Sequence, residues 1–91
     1  MQNLKAYVES MNSWNKLFGN YRPLDLKNAA DRQAIATDID CKLSPENLTC
    51  DGELPRAEVN RRYRELMSAA RALYKLDPKV KFYEWSSEIE A

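Results

Sequence analysis

Over the first eighteen positions the apolar residues fall at Leu4, Tyr7, Val8, Met11, Trp14, Leu17 and Phe18, a three-and-four spacing that gathers them on one helical face. This predicts a first helix over about residues 2–18, with the aromatic side chains Tyr7, Trp14 and Phe18 expected in the core. Gly19 supplies a stop, and Asn20-Tyr21-Arg22-Pro23 reads as a turn, because the residue before a proline is pushed out of the helical region. A second helix, about 27–43, is expected to start at a cap between Asp25 and Asn28 and to run through Ala29, Ala30, Ile35, Ala36 and Ile39. Its apolar face is narrow and alanine-rich, which suits close approach to a neighbour.

The stretch "LSPENLTCDGELP" follows. Ser44-Pro45-Glu46 offers a capping hydroxyl, a proline for the first helical position and a carboxylate at the positive end of the helix dipole, so one short helical turn over about 45–49 is expected. Asp51-Gly52 then turns the chain, and Pro55 opens the longest helix, about 55–76. Val59, Tyr63, Leu66, Met67, Ala70, Leu73 and Tyr74 hold the helical spacing there until Asp77-Pro78 ends it. Residues 80–85 alternate weakly, which fits an extended arm or a further helical turn. The expected fold is all-α: a small bundle of three main helices with a short turn and an aromatic C-terminal arm, in a single domain spanning 1–91.

Composition alters this picture in two respects. With 44% hydrophobic and 31% charged residues the chain should fold, but 91 residues give only a modest core, so self-association or a partner would help it. Formal charge is zero yet unevenly placed: Asp38, Asp40, Glu46, Asp51 and Glu53 stand against Lys42, and the tail adds Glu84, Glu88 and Glu90. Between them, residues 55–81 carry Arg56, Arg61, Arg62, Arg64, Arg71, Lys75, Lys79 and Lys81 against Glu58, Glu65 and Asp77. Such a surface can steer a partner, while the neutral balance disfavours nucleic acid. No apolar run is long enough for a bilayer and Met1 is not followed by a secretory signal, so no membrane partner and a cytoplasmic location are expected. In that compartment Cys41 and Cys50 are expected as reduced thiols, and the Asn47-Leu48-Thr49 sequon has no consequence.

The chemistry is defined mainly by what is missing. Absence of histidine removes the commonest general base, the commonest metal ligand and every Ser-His or Cys-His arrangement. The acidic run from Asp38 raises calcium, but Lys42, Leu43 and Thr49 stand where an EF-hand needs an oxygen ligand, a glycine and a glutamate. Acidic neighbours at Asp51 and Glu53 raise rather than lower a thiol's pKa, which leaves Cys50 inert. Only Gly19 and Gly52 are present, too few and too far apart for a phosphate-cradling loop. No catalytic residue, metal or cofactor is therefore expected, and the protein reads as a non-enzyme.

Binding chemistry remains. Arg56, Arg64, Arg71 and Lys75 fall near one side of the long helix, with Arg61 and Arg62 flanking its start and Tyr63 or Tyr74 available to stack. This face could grip a phosphate-bearing ligand, or it could pair with the acidic 38–53 segment of its own chain or of a second copy. Phe82, Tyr83 and Trp85 crowd the chain end and must either dock on the bundle or be presented to a partner.

The segment "YRPLDLKNAADRQAIATDIDCKLSPENLTCDGELP" resembles the small uncharacterised helical proteins of tailed bacteriophages, a resemblance that covers roughly residues 12–84. It carries over no functional residue. It implies a non-enzymatic, oligomeric or partner-binding accessory protein of the kind that disarms a host system, acting in the host cytoplasm. Two functions are consistent with that: inhibition or adaptation of a host protein through protein–protein contacts, or an oligomeric sponge that sequesters nucleotide signals on its basic helix.

Overall fold

A computed structural model describes residues 2–17, 19, 22–85 and 89, and among these every regular element is helical. The order is α1 (Gln2–Lys16), α2 (Ala29–Lys42), α3 (Pro45–Thr49) and α4 (Arg56–Leu76). These are the expected three main helices and short turn, each within a few residues of its sequence-based bounds. Phe18, residues 20–21 of the turn, and Glu88 and Glu90 of the acidic tail lie outside the described residues.

Local chemistry sets the boundaries. Asn28 caps α2, its side-chain oxygen accepting from the Asp31 amide at 3.1 Å. Ser44 occupies the cap position of α3 without capping it through its side chain; its hydroxyl oxygen accepts instead from Asn47 Nδ2 at 3.0 Å. Pro55 sits at the cap of α4, one residue before the helix, in extended backbone. Between α3 and α4 three consecutive residues, Cys50, Asp51 and Gly52, take left-handed φ values of 50°, 58° and 86°. Asp tolerates that region and Gly favours it, and the tight reversal ends α3 with the Asp51 amide donating to the Glu46 carbonyl at 2.9 Å. The connector is thus determined by backbone geometry; Cys50 at its start and Cys41 in the last turn of α2 are free, exposed thiols.

Helix α4 is the hub, packing on α1, α2 and α3. The centre of the core is Leu4 of α1, Ile35, Ala36 and Ile39 of α2, Leu43, and Ala69, Ala70 and Leu73 of α4. Alanines at 36, 69 and 70 allow the backbones of α2 and α4 to approach closely. Ala29 and Ala30, expected on the buried face of α2, are exposed in its first turn. Trp14, expected in the core, is 64% exposed, as Leu17 is at 76%. At about 100° per residue, Trp14 and Leu17 lie roughly 80° and 140° around the helix from Leu4, so the apolar stripe rotates away from α4 towards the C-terminal end of α1.

Beyond α4 the chain is an extended arm with no helical turn over 78–85. Val80 and Phe82 are buried while Lys81 and Tyr83 face outwards, so the weak alternation reflects real sidedness. The arm is fastened along α2. Arg32 Nε meets Asp77 Oδ2 at 2.7 Å; Gln33 accepts from the Lys81 amide at 2.9 Å and donates to its carbonyl at 3.0 Å. Asp40, only 6% exposed, then accepts from the backbone amides of Tyr83, Glu84 and Trp85 at 3.2–3.4 Å. Asp40 belongs to the acidic 38–53 segment, yet its burial has a plain cause, since three converging N–H groups replace the water it loses.

At the other end of α2, Asp31 performs the same task for the α1–α2 connection. It is 3% exposed and takes both Arg22 guanidinium nitrogens, at 2.5 and 2.9 Å, with the Asp25 amide at 2.9 Å. The Arg22 hydrogen bond, seconded by that amide, holds the Asp31 carboxyl below the usual carboxylate range, and Arg32 with the Lys79 amide does the same for Asp77.

Two outcomes follow from these carboxylates. Around pH 4 the unfolded chain binds more protons at residues 31 and 77 than the folded one. Stability should therefore be complete above that pH and decline as pH falls through the depressed folded values; urea unfolding between pH 6 and pH 2 should show it, with a shallower decline in Asp31→Asn. Replacing Asp40 by Ala leaves three amides of the arm without an acceptor and should cost about 1–3 kcal/mol in urea unfolding, with Trp85 emission shifting to the red.

Candidate functional site

A groove of about 620 Å³ opens where α1, α2 and α4 meet. Its apolar surface comes from Ala6, Met11, Trp14 and Leu66, and its polar groups from Tyr7, Asp38, Lys42, Arg61, Arg62 and Glu65. That volume is in the range of small-ligand and anchor pockets, and an exposed Trp with a half-buried Tyr and two Arg around an apolar floor is the composition of binding hot spots.

The charges in it are largely matched among themselves. The Tyr7 hydroxyl donates to Asp38 Oδ2 across the α1–α2 junction, and Lys42 Nζ stands 3.0 Å from the same oxygen and 4.7 Å above the centre of the Tyr7 ring. Burial, and then the Asp38 carboxylate, push the Tyr7 phenol far above its ordinary value. On α4, Arg61 is pinned between Glu58, one turn back, and Glu65, one turn on at 3.0 Å; the Glu58 hydrogen bond is the main reason its guanidinium is held still more firmly protonated. Arg62 differs: Nη2 donates to the Asn47 carbonyl of α3 at 3.3 Å, while Nε is buried with no hydrogen-bond partner.

The residues singled out in the sequence are divided by this geometry. Arg61 line the groove together with Arg62, whereas Arg56, Arg64, Arg71 and Lys75 lie exposed along the outer side of α4, away from it. Tyr63 is half-buried and meets Trp85 edge to face, ring centroids 6.3 Å apart. Of the terminal aromatics, Phe82 is in the core and Trp85 docks on Tyr63, so the arm folds back on its own bundle; Tyr83 alone of the three is strongly exposed, at 73%. The acidic segment does not present one edge to the basic helix: Asp38 serves Tyr7 and Lys42, Asp40 serves the arm, and the link from the connector to α4 is Arg62 on a neutral carbonyl. Among the described residues no group of three acidic or thiol side chains comes together to hold a metal ion.

Sequence reasoning missed Asp38, Lys42, Met11 and the exposed position of Trp14 as groove residues. Helical spacing assigns Trp14 to the same stripe as Leu4, and the only signal against this is the angular drift noted above. A second depression of about 540 Å³, beside Lys5, Glu9 and Leu24, is less promising because one of its two cations, Arg22, is already held by Asp31.

The chain matches no known family, no curated protein and no solved structure, so its function is read from this geometry.

Tyr7 makes the groove testable spectroscopically. Its raised pKa means that the unfolded chain loses the phenolic proton first, so the contribution to stability is whole below about pH 10 and is lost above it. In an alkaline titration followed by phenolate absorption, one of the five tyrosines should stay protonated until the protein unfolds, and Tyr7→Phe should remove that delayed step.

Proposed function

We propose that this protein is a non-enzymatic binding module, an accessory protein that inhibits or adapts a partner protein by docking it in the α1–α2–α4 groove. The observation that carries this is Trp14, 64% exposed on the wall of a groove that also holds Met11, Tyr7 and Arg62. A large indole with this much of its surface exposed has burial still to gain, which a partner would provide. The all-helical frame supports the reading by holding the groove on three packed elements and not on loops. The resemblance to phage accessory proteins agrees with it, and makes a host protein the partner class to try first.

Sequestration of a nucleotide by the basic helix has less support. Arg56, Arg64 and Arg71 stand on an outward face, where enclosing a phosphate would require a second copy.

The test is quantitative affinity capture from host lysate with tagged wild type, Trp14→Ala and Tyr83→Ala. A stoichiometric partner should be retained by wild type and Tyr83→Ala and lost by Trp14→Ala, a weakening of about 2 kcal/mol or more with unchanged thermal stability. Retention by Trp14→Ala with loss in Tyr83→Ala would move the docking surface to the arm. Recovery of nothing specific, together with a shift in melting temperature when cyclic nucleotides are added, would favour sequestration.

A further inference from the structure

Within the groove, the three cations are unequally matched. Lys42 is paired with Asp38, and Arg61 with Glu58 and Glu65, so the groove's own carboxylates are all engaged. Arg62 has, among the described residues, a single hydrogen bond, to a neutral carbonyl at 3.3 Å, and its Nε is shut off from water without any acceptor. A buried, unpaired donor on a cation is costly, so the present placement of this guanidinium is weakly held, and turning it into the groove forfeits one long bond while relieving the stranded N–H.

We propose that Arg62 turns to receive a carboxylate, and that the groove takes a partner segment carrying an acidic side chain beside a bulky apolar one. This rests on the docking reading above. The acid meets the planar fork of Arg62 in two parallel hydrogen bonds, and the apolar neighbour packs on Met11, Leu66 and Trp14. Arg62 lacks a hydrogen-bonded carboxylate of its own, but Lys42, Arg61 and Arg62 together balance Asp38, Glu58 and Glu65, and a single added negative charge disturbs that balance less than a doubly charged phosphate, which favours a carboxylate.

The experiment uses the isotope-labelled full chain, observing the arginine Nε–H and tryptophan indole N–H resonances during titration with phenylbutyrate, its neutral amide and inorganic phosphate. Phenylbutyrate should move the Arg62 Nε–H and Trp14 signals saturably, with the amide about tenfold weaker. Arg62→Gln should bring phenylbutyrate down to the level of the amide while Trp14 still responds, and Arg62→Lys, which keeps the charge but not the fork, should fall between. Should either variant fail to fold, the comparison of acid with amide on the wild-type chain still decides. Equal binding of acid and amide would overturn the carboxylate assignment and leave the docking groove standing. An equal Arg62 response to phosphate would replace it with a plain anion site. If no probe moves Trp14 or the α1 backbone, the proposal and the docking reading fall together.

Discussion

Two buried carboxylates on one helix anchor the two longest irregular segments among the described residues, the α1–α2 connection and the C-terminal arm. Asp31 and Asp40 stand near opposite ends of α2, and each is withdrawn from water only because N–H groups from an irregular segment converge on it. At the first, the chain between α1 and α2 is gathered through Arg22 and the Asp25 amide; at the second, three successive amides of the arm are caught. Charge-assisted hydrogen bonds of this kind are stronger than neutral ones, and a carboxylate stripped of such partners inside a protein is among the more destabilising defects. Without them α2 would still pack through Ile35 and Ile39, but the α1–α2 connection and the end of the arm would each lose a charged anchor.

The same arrangement explains why α2 is hardly amphipathic. Its residues are read on several sides at once: Ile35, Ala36 and Ile39 by the core, Asp31 by the preceding loop, Arg32, Gln33 and Asp40 by the arm running alongside, and Asp38 by Tyr7 of α1. A helix surrounded in this way need not show one apolar stripe. Because the arm covers one flank of α2 and brings Trp85 against Tyr63, the groove is confined to the opposite flank, where α1 diverges.

Helices were legible because their evidence is local. The spacing from Val59 to Leu73, the Asn28 cap and the Asp-Gly reversal each act within a few residues, and each is found where expected. Burial of charge was not legible, because whether Asp40 faces water depends on a segment more than forty positions away in the chain. Trp14 illustrates the second kind of loss: its spacing fits the core stripe, yet a straight helix rotates that stripe past its neighbour, and only the position of α4 determines where contact ends. The groove depended on both, so its acidic and basic walls, from α2 and α4, could not be joined to α1 in advance.

The zero net charge takes on a different meaning once the pairs are located. Arg22, Arg32, Lys42 and Arg61 are each bound to a carboxylate of the same chain, and two of those contacts, Arg22 with Asp31 and Arg32 with Asp77, anchor irregular segments away from the groove. Pairs such as Arg61 with Glu58 and Glu65 are exposed and contribute little to stability, but they quench the field that a polyanion would sense. What the groove itself offers is therefore short-range: a largely exposed indole, an arginine held by one long bond, and an apolar floor between them. Such a surface discriminates by shape and by one well-placed charge, and gains little from long-range attraction.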